Sequence, residues 1–473
     1  MHSDLREHQS HQENVGAVPR RGRQAAALLS VCLGFFVIQL DVTIVNVALP
    51  AIQREIGGPL AGLQWVIDAY TLALASIMLT AGATADRNGA RKVFAIGLTV
   101  FALGSAACAA APSIGVLIAA RAVQGLGASA LLPCSLALLV HQFPDHKERA
   151  RALGVWGGMG SLGVALGPVA GGALVAALGW RSIFLVNVPI CLLTVVLLRR
   201  FAQESPTHPD RRTDVPGLLL GVTMLAALTA SFITAGGQGQ GWTRPLPVAL
   251  LAAGLVAAWA FIRAERRHPH PVLPLHLFKN RNLSGATAVG LIFNLVLYGS
   301  LLCLSLYLQT TRHESVLATG LLLLPMSATV GLGSLASGRL TAQLGPRTPM
   351  LAGLTCAAAG AALLATAGPK TEITLILAGS ILLGLVSLAM PAMTAAVVGA
   401  AGPEHAGVAS GVLNAARQSG GALGVAVLGA LLGHRSELSL HVPLLVATAG
   451  YLVAIALALG TIRRLPHPAP DSG

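Results

Sequence analysis

Charge is what this sequence has least of. Only 10% of its 473 residues are Asp, Glu, Lys or Arg, while 54% are hydrophobic; soluble globular chains carry about 25% charged residues. The mean hydropathy is +0.72. So few charges cannot coat a water-facing surface of this size, which excludes an ordinary soluble enzyme, a disordered chain and a free nucleic-acid binder. Paired cysteines are missing too. Cys32, Cys108, Cys134, Cys191, Cys303 and Cys356 are scattered through apolar stretches without a CxxC, so they suit small apolar packing positions rather than a zinc site or a disulfide framework. The 14 histidines fall in tails, loops or span ends and form no spaced pair within a span. No metal and no cofactor are expected. Long polar loops are also lacking: the longest, 199–214 and 263–282, carry no clustered catalytic groups, which speaks against a polytopic enzyme or receptor.

What the chain has is apolar runs. A hydrocarbon core about 30 Å thick needs roughly 20 apolar residues per helix. Fourteen segments meet that length: 25–49, 63–84, 93–111, 114–140, 152–178, 182–198, 215–235, 245–262, 283–309, 317–341, 348–367, 373–398, 408–432 and 443–462. The first is too long for the apolar core of a signal peptide and has no cleavage site, so it reads as a retained span behind a polar, His-, Gln- and Arg-rich tail, 1–24. The fold class expected is an all-α polytopic membrane protein.

The net charge of +13 could indicate a polyanion partner, but the positions of the basic residues say otherwise. With the N-terminus inside and the spans alternating, 23 of the 31 Lys and Arg fall in cytoplasmic segments and six in outer loops. That asymmetry is the positive-inside bias, and it puts both termini in the cytoplasm. The charges are spread over short loops rather than gathered in one patch, so no nucleic-acid partner is expected.

The sequence also repeats. Gly82, Gly89 and Arg91 recur as Gly338, Gly345 and Arg347 at an offset of 256; Gly154-Val155 recurs as Gly411-Val412, and Pro133 as Pro391, at nearly the same offset. This divides the chain into a cytoplasmic tail (1–24), a six-helix bundle (25–198), a central segment with two extra helices (199–282), a second six-helix bundle (283–462) and a second tail (463–473). Parallel six-span repeats are the architecture of major facilitator transporters.

The motifs sharpen the comparison. They are LDVTIVNVALP at 40–50, WVIDAYTL at 65–72, GATADRNGARK at 82–92, RAVQGLGAS at 121–129, GVALGPVAGG at 163–172, WRSIFLVNVPI at 180–190 and NAARQSGGALG at 414–424. In this order, on these spans, they resemble a fourteen-span drug:proton antiporter of the major facilitator superfamily. The resemblance implies a proton-coupled exporter of drugs, antibiotics or other lipophilic, often cationic, compounds, working by alternating access in the cell membrane. Its partners would be a small molecule, protons and the lipid bilayer, and it would act as a monomer. A proton symporter or exporter for a small metabolite is the alternative, and the antiporter motif argues against it.

Only four ionisable residues lie within spans: Asp41, Asp68, Arg121 and Arg417. An ion in a membrane costs at least about 2.5–3.5 kcal/mol on insertion scales, so each is a functional candidate. Counting residues at 1.5 Å rise puts Asp41 and Arg121 about 12–13 Å from the outer end of their spans and Asp68 about 8 Å. Burial favours a neutral carboxyl and a nearby guanidinium favours a charged one, so a carboxyl balanced between them can load and release a proton. Asp41 is the expected proton and cation site and Arg121 its tuning partner; a purely structural ion pair is the other reading. Asp68 joins them as a candidate, its partner Arg121 or water, unless it is simply a solvated residue near a helix end. In the second half the corresponding positions are Leu297 for Asp41 and Gly379 or Ser380 for Arg121, so proton handling looks confined to the first half. Arg417 has no acid in its half; it could reach the inner interface, a carbonyl or an anionic lipid.

The remaining assignments follow the resemblance. Gly82, Asp86, Arg87, Gly89, Arg91 and Lys92 would form a gate at the cytoplasmic turn between spans 2 and 3, with Gly89 permitting the turn. Gly163, Gly167, Pro168, Gly171 and Gly172 would be the antiporter motif, whose small residues allow close helix approach. Gly158, Gly160 and Gly163 spell GxGxxG, but with no strand before them they make no dinucleotide site. Asn46, Trp65, Gln124, Trp156, Asn294, Tyr298, Met390 and Met393 are the candidates for contact with substrate.

Overall fold

The computed structural model describes residues 20–207, 215–236, 241–267, 275–401, 406–432 and 439–462. Most of the N-terminal tail, the C-terminal tail, Arg211, Arg212 and most of the Gly-rich stretch after 235 lie outside these residues.

Among the described residues the chain is helical, without strands, and fourteen helical segments are long and apolar enough to cross a membrane. Their limits agree with the apolar runs to within a turn or two. The first half comprises α1 (Arg20–Ile56), α2 (Leu60–Asn88), α3 (Ala90–Ala109), α4 (Ile114–Gln142), α5 (His146–Leu178) and a broken sixth span, α6 (Ser182–Leu185) followed by α7 (Asn187–Phe201). The central pair is α8 (Val215–Gly236) and α9 (Pro245–Glu265). The second half comprises α10 (Arg281–Thr310), α11 (Val316–Leu344), α12 (Arg347–Ala365), a span made of α13 (Ile373–Gly384) and α14 (Ala389–Ala401) joined by a 3-10 turn, α15 (Ala406–Leu432) and α16 (His441–Thr461). α1, α2, α3 and α5 begin three to six residues before their apolar runs, and in α1, α3 and α5 the added residues include charged ones that continue the helix beyond the apolar layer.

Helices of each half pack mainly on one another: α1 on α5, α2 and α3 on α4, α10 on α15, and α12 on α16. The halves meet along two seams, α5 against α11 and α2 against α15. The central pair leans across the second seam, with α8 touching both α2 and α15. Leu72 and Ala75 of α2, Leu225 of α8 and Ala422 of α15 form the small apolar cluster there.

The antiporter motif accounts for the close approach of α5 to two helices at once. A Cβ at Gly163 would lie 2.6 Å from the Phe36 carbonyl oxygen, and one at Gly171 2.9 Å from that of Ile44, both on α1. Gly167, between them, faces Thr43. On the other side, a Cβ at Gly172 would lie 2.9 Å from the Val316 carbonyl, and Gly320 of α11 sits against the Pro168 carbonyl. Four-residue spacing of glycine thus makes a groove for α1, while Pro168 and Gly172 meet α11 across the seam.

Contacts between the halves cluster at the end of the molecule that carries Ile56. There Ser305 Oγ donates to the Asn46 carbonyl (2.8 Å) and Gln309 Nε2 to the Val47 carbonyl (3.0 Å). Gln64 Nε2 donates to the Val425 (3.2 Å) and Ala426 (3.4 Å) carbonyls of α15. The opposite end carries Gly89. These hydrogen bonds hold the halves together at the Ile56 end.

Candidate functional site: a buried carboxylate network and two lone charges

Asp41 and Arg121 meet. Arg121 Nη1 donates to Asp41 Oδ2 at 2.5 Å, and both side chains are buried, 1% and 0% exposed. The pair is held by neutral polar groups from four further places. Gln124 Nε2 and Asn187 Nδ2 donate to Asp41 Oδ1 at 2.8 and 2.9 Å. Arg121 also donates through Nη1 to Gln124 Oε1 (2.7 Å) and through Nε to the Val66 carbonyl (3.0 Å). Ser105 Oγ accepts from Asn187 (3.1 Å) and Gln124 (3.3 Å) and donates to the Phe184 carbonyl (2.8 Å). The Arg121 guanidinium lies 4.1 Å from the Tyr70 ring centroid, a cation–π contact.

Local sequence builds this network. Arg121 and Gln124 are three residues apart and share a helix face. A Cβ at Gly104 would come within 2.7 Å of the Gln124 backbone nitrogen, so only glycine lets α3 bring Ser105 that close to α4. The break between α6 and α7 lets the helix restart at Asn187, with Pro189 in the first turn, where its missing N–H costs nothing. Asp41 thus accepts three N–H donors, an arrangement made for a carboxylate. It is enclosed, and in this conformation it is not open to a substrate.

Asp68 is the opposite case. It is 0% exposed, and among the described residues no donor reaches either oxygen. It is therefore neither a solvated helix-end residue nor a partner of Arg121. Its neighbours one turn away locate it. Gln64 bonds to α15, and the Thr71 methyl lies 3.9 Å from a Cβ built on Gly421 of α15. Asp68 sits on the face of α2 that closes the seam with α15.

Arg417, on α15, turns into the protein between α10 and α14. It donates to Met390 Sδ (3.3 Å) and, at 3.5 Å, to Asn414 Oδ1; the Phe293 ring centroid lies 5.5 Å from its guanidinium carbon, and its buried Nε has no partner among the described residues.

The gate candidates dock on their own half. Gly89 has φ +94°, and a Cβ there would lie 2.6 Å from Glu204 Cδ. Glu204 and Ser205, just past α7, cap the start of α3: Ala90 N donates to Ser205 Oγ (2.9 Å), and Arg91 N and Lys92 N donate to the Glu204 carboxylate at 2.7 and 3.3 Å. Arg91 pairs with Glu204 at 3.7 Å and donates to the Ala202 carbonyl at 3.1 Å. Gly82 lies against Pro133 of α4, while Asp86 and Arg87 occupy the last turn of α2.

The proposed substrate contacts divide. Tyr298 and Met390 are partly exposed beside α15, and Trp156 stacks on Phe35 with ring centroids 4.1 Å apart. Trp65 packs at the central pair with Leu225. Asn294 is 2% exposed. Three differ from expectation. Gln124 is consumed by the Asp41 network, Met393 is fully buried in the apolar core, and Asn46 turns back to donate to the Val42 carbonyl at 3.0 Å. Sequence reasoning missed Ser105, Asn187, Gln64 and Glu204. Only Asn187 carried a signal, as the one amide in WRSIFLVNVPI.

Known proteins bear directly on this arrangement. The family model "Major Facilitator Superfamily" matches residues 31–425. The chain belongs to the major facilitator superfamily. It is 40% identical over 410 residues to "Multidrug resistance protein Stp" of Mycobacterium tuberculosis, covering 86% of this chain and 76% of that protein. It is 38% identical to "Methylenomycin A resistance protein" of Streptomyces coelicolor, covering 89% of each. It is 39% identical to "Puromycin resistance protein pur8" of Streptomyces alboniger, covering 94% of this chain and 90% of that one. Among solved structures, the human organic anion transporter MFSD10 superposes with a TM-score of 0.64 at 16% identity, covering 93% of this chain and all of that one. The superposition shares the fold. As a major facilitator protein with fourteen candidate spans, the chain is a multi-pass membrane transporter.

Proposed function

We propose that this chain is a proton-coupled antiporter that exports lipophilic small molecules, drugs or antibiotics among them, by alternating access as a monomer. The observation that carries the reading is the Asp41–Arg121 pair. A buried ion pair is a poor source of stability, since well-packed apolar residues would serve as well or better. A transporter that keeps one, with three donors on the carboxylate, has a use for it. The relatives' names, multidrug, methylenomycin A and puromycin resistance, point to export of such compounds.

The Gly89 end is the cytoplasmic one in this reading, with both termini there, because the basic residues concentrate on that side. The conformation described is then closed outside. Asp68 lies at the closed seam with no donor among the described residues. An unpaired carboxylate is far costlier to bury than a neutral carboxyl, so the seam closes most easily on the protonated form. Opening the seam wets Asp68 and lets it exchange its proton. The Asp41–Arg121 network, which borrows the Val66 carbonyl of the same helix, is the element through which movement of α2 is felt in the rest of the first half. The Gly82–Lys92 turn, docked on Glu204, acts as the cytoplasmic gate.

The test is uptake of ethidium into inverted membrane vesicles driven by an imposed pH gradient, acid inside. The wild type is expected to respond to the gradient, and Asp41→Asn and Asp68→Asn to lose that response while still inserting. Gradient-independent transport by the wild type would sink the proton coupling.

A further inference from the structure

Arg417 is the charge that the antiport reading leaves unused. Arg121 is spent on Asp41, but the Arg417 guanidinium has no carboxylate within ion-pair distance among the described residues. Its acceptors are a thioether at 3.3 Å, a weak one, and an amide oxygen at 3.5 Å, the limit of a hydrogen bond. Nε is buried and has none among the described residues. A guanidinium offers five donors in a planar fork shaped for a carboxylate, and here most of that fork is unsatisfied. The neighbourhood makes room for it. A Cβ at Gly290 would lie 3.2 Å from Arg417 Cγ, so glycine there admits the side-chain stem. Asn414 and Gln418, on the same helix, are partly exposed, as are Met390 and Tyr298 from neighbouring helices. Phe293, buried beneath them, turns its ring toward the guanidinium. The result is a half-open patch with one unspent cation and apolar, polarisable walls, in the half that has no buried acid among the four intramembrane charges.

We propose that Arg417 anchors an anion subsite that takes the carboxylate of a lipophilic, aromatic substrate, with Asn414 beside the charged head and Tyr298 and Met390 against the apolar body. The proposal rests on the transporter reading for the space between the halves being the substrate path. It does not depend on proton coupling. It also reverses the charge expected of the cargo at this subsite: with Asp41 enclosed and neutralised, the charge that substrate meets here is positive.

The experiment is equilibrium fluorescence binding to the full chain in lipid nanodiscs, without a proton gradient. The probes are dansylglycine, a carboxylate, and dansylglycinamide, the same fluorophore without the charge. The wild type is expected to bind the carboxylate at least about tenfold tighter than the amide, the size of effect a charge-assisted hydrogen bond gives. Arg417→Gln should bring the two affinities together while leaving amide binding unchanged, and Arg417→Lys should keep part of the preference. A wild type without a preference, an Arg417→Gln variant that keeps it, or equal loss of both probes overturns the subsite. A wild type that prefers the carboxylate but fails to extrude ethidium under a pH gradient leaves the subsite standing and removes the antiport reading instead.

Discussion

Asp41 and Asp68, on adjacent helices and both fully buried, have opposite surroundings: Asp41 accepts three N–H donors, and Asp68 accepts none among the described residues. The same residue type therefore has two jobs in one half of the molecule. Asp41 organises five spans from within, and Asp68 meets the other half.

The first prediction concerns the pair. Removing one member of a buried ion pair leaves the other uncompensated and typically costs about 3–5 kcal/mol, whereas removing both can be nearly neutral. Arg121→Gln should therefore lower the unfolding midpoint of the purified protein strongly, and Asp41→Asn with Arg121→Gln should recover much of the loss. Transport should not recover with it. A double variant as unstable as the single would mean that the surrounding amides, not the charges, hold the network.

Asp68 predicts a separation of two activities. An Asn at this position mimics the neutral carboxyl, so the seam between α2 and α15 still closes. Exchange of labelled ethidium for unlabelled ethidium across vesicles at equal pH should persist in Asp68→Asn, and accumulation driven by a pH gradient should be lost. Loss of both would make Asp68 a packing residue of the seam.

How much of this was legible in the sequence follows from the physics of burial. The spans could be read because hydrocarbon thickness fixes their length, and Asp41 and Arg121 because charge in an apolar run is costly enough to be conspicuous. Ser105 and Asn187 were not legible, since a hydroxyl or amide in a span is common and nothing in the chain names a partner 82 residues away. Gln124, three residues from Arg121 and on the same helix face, is placed in the Asp41 network. Met393 lies in the apolar core, which a methionine at helical spacing fills as readily as it lines a cavity. Asp68's isolation could not be read at all: depth along a helix is countable, but the absence of a donor is a property of the neighbouring helices.

Glu204 supplies the third prediction. It sits where a positive-φ glycine leaves space, and it caps α3 while pairing with Arg91. Gly89→Ala would force both a disfavoured backbone and a clash with the carboxylate. Transport should fall at least about tenfold in Gly89→Ala, and Glu204→Ala should fall less, because the lost cap is worth about 1 kcal/mol. Vesicle ethidium transport, normalised to the amount of inserted protein, reads both. Equal transport in Gly89→Ala and wild type would show that the turn does not depend on this docking.

The seam at α5 and α11 gives the last prediction. Gly320 lies against the Pro168 carbonyl, and a Cβ at Gly172 would stand 3.1 Å from Leu317 Cα, so the helices touch backbone to backbone. A valine at position 320 cannot be accommodated there by rotating a side chain, because the obstacle is main chain. Gly320→Val should hold the Ile56 end apart. Ser305 of α10, which is 0% exposed and bonds between the halves to the Asn46 carbonyl of α1, then becomes a reporter. In a background with the native cysteines replaced, Ser305→Cys should resist a membrane-impermeant maleimide added from the outside. It should react several-fold faster once Gly320→Val is introduced. Unchanged labelling would mean that the close approach of α5 and α11 is not what keeps that end shut.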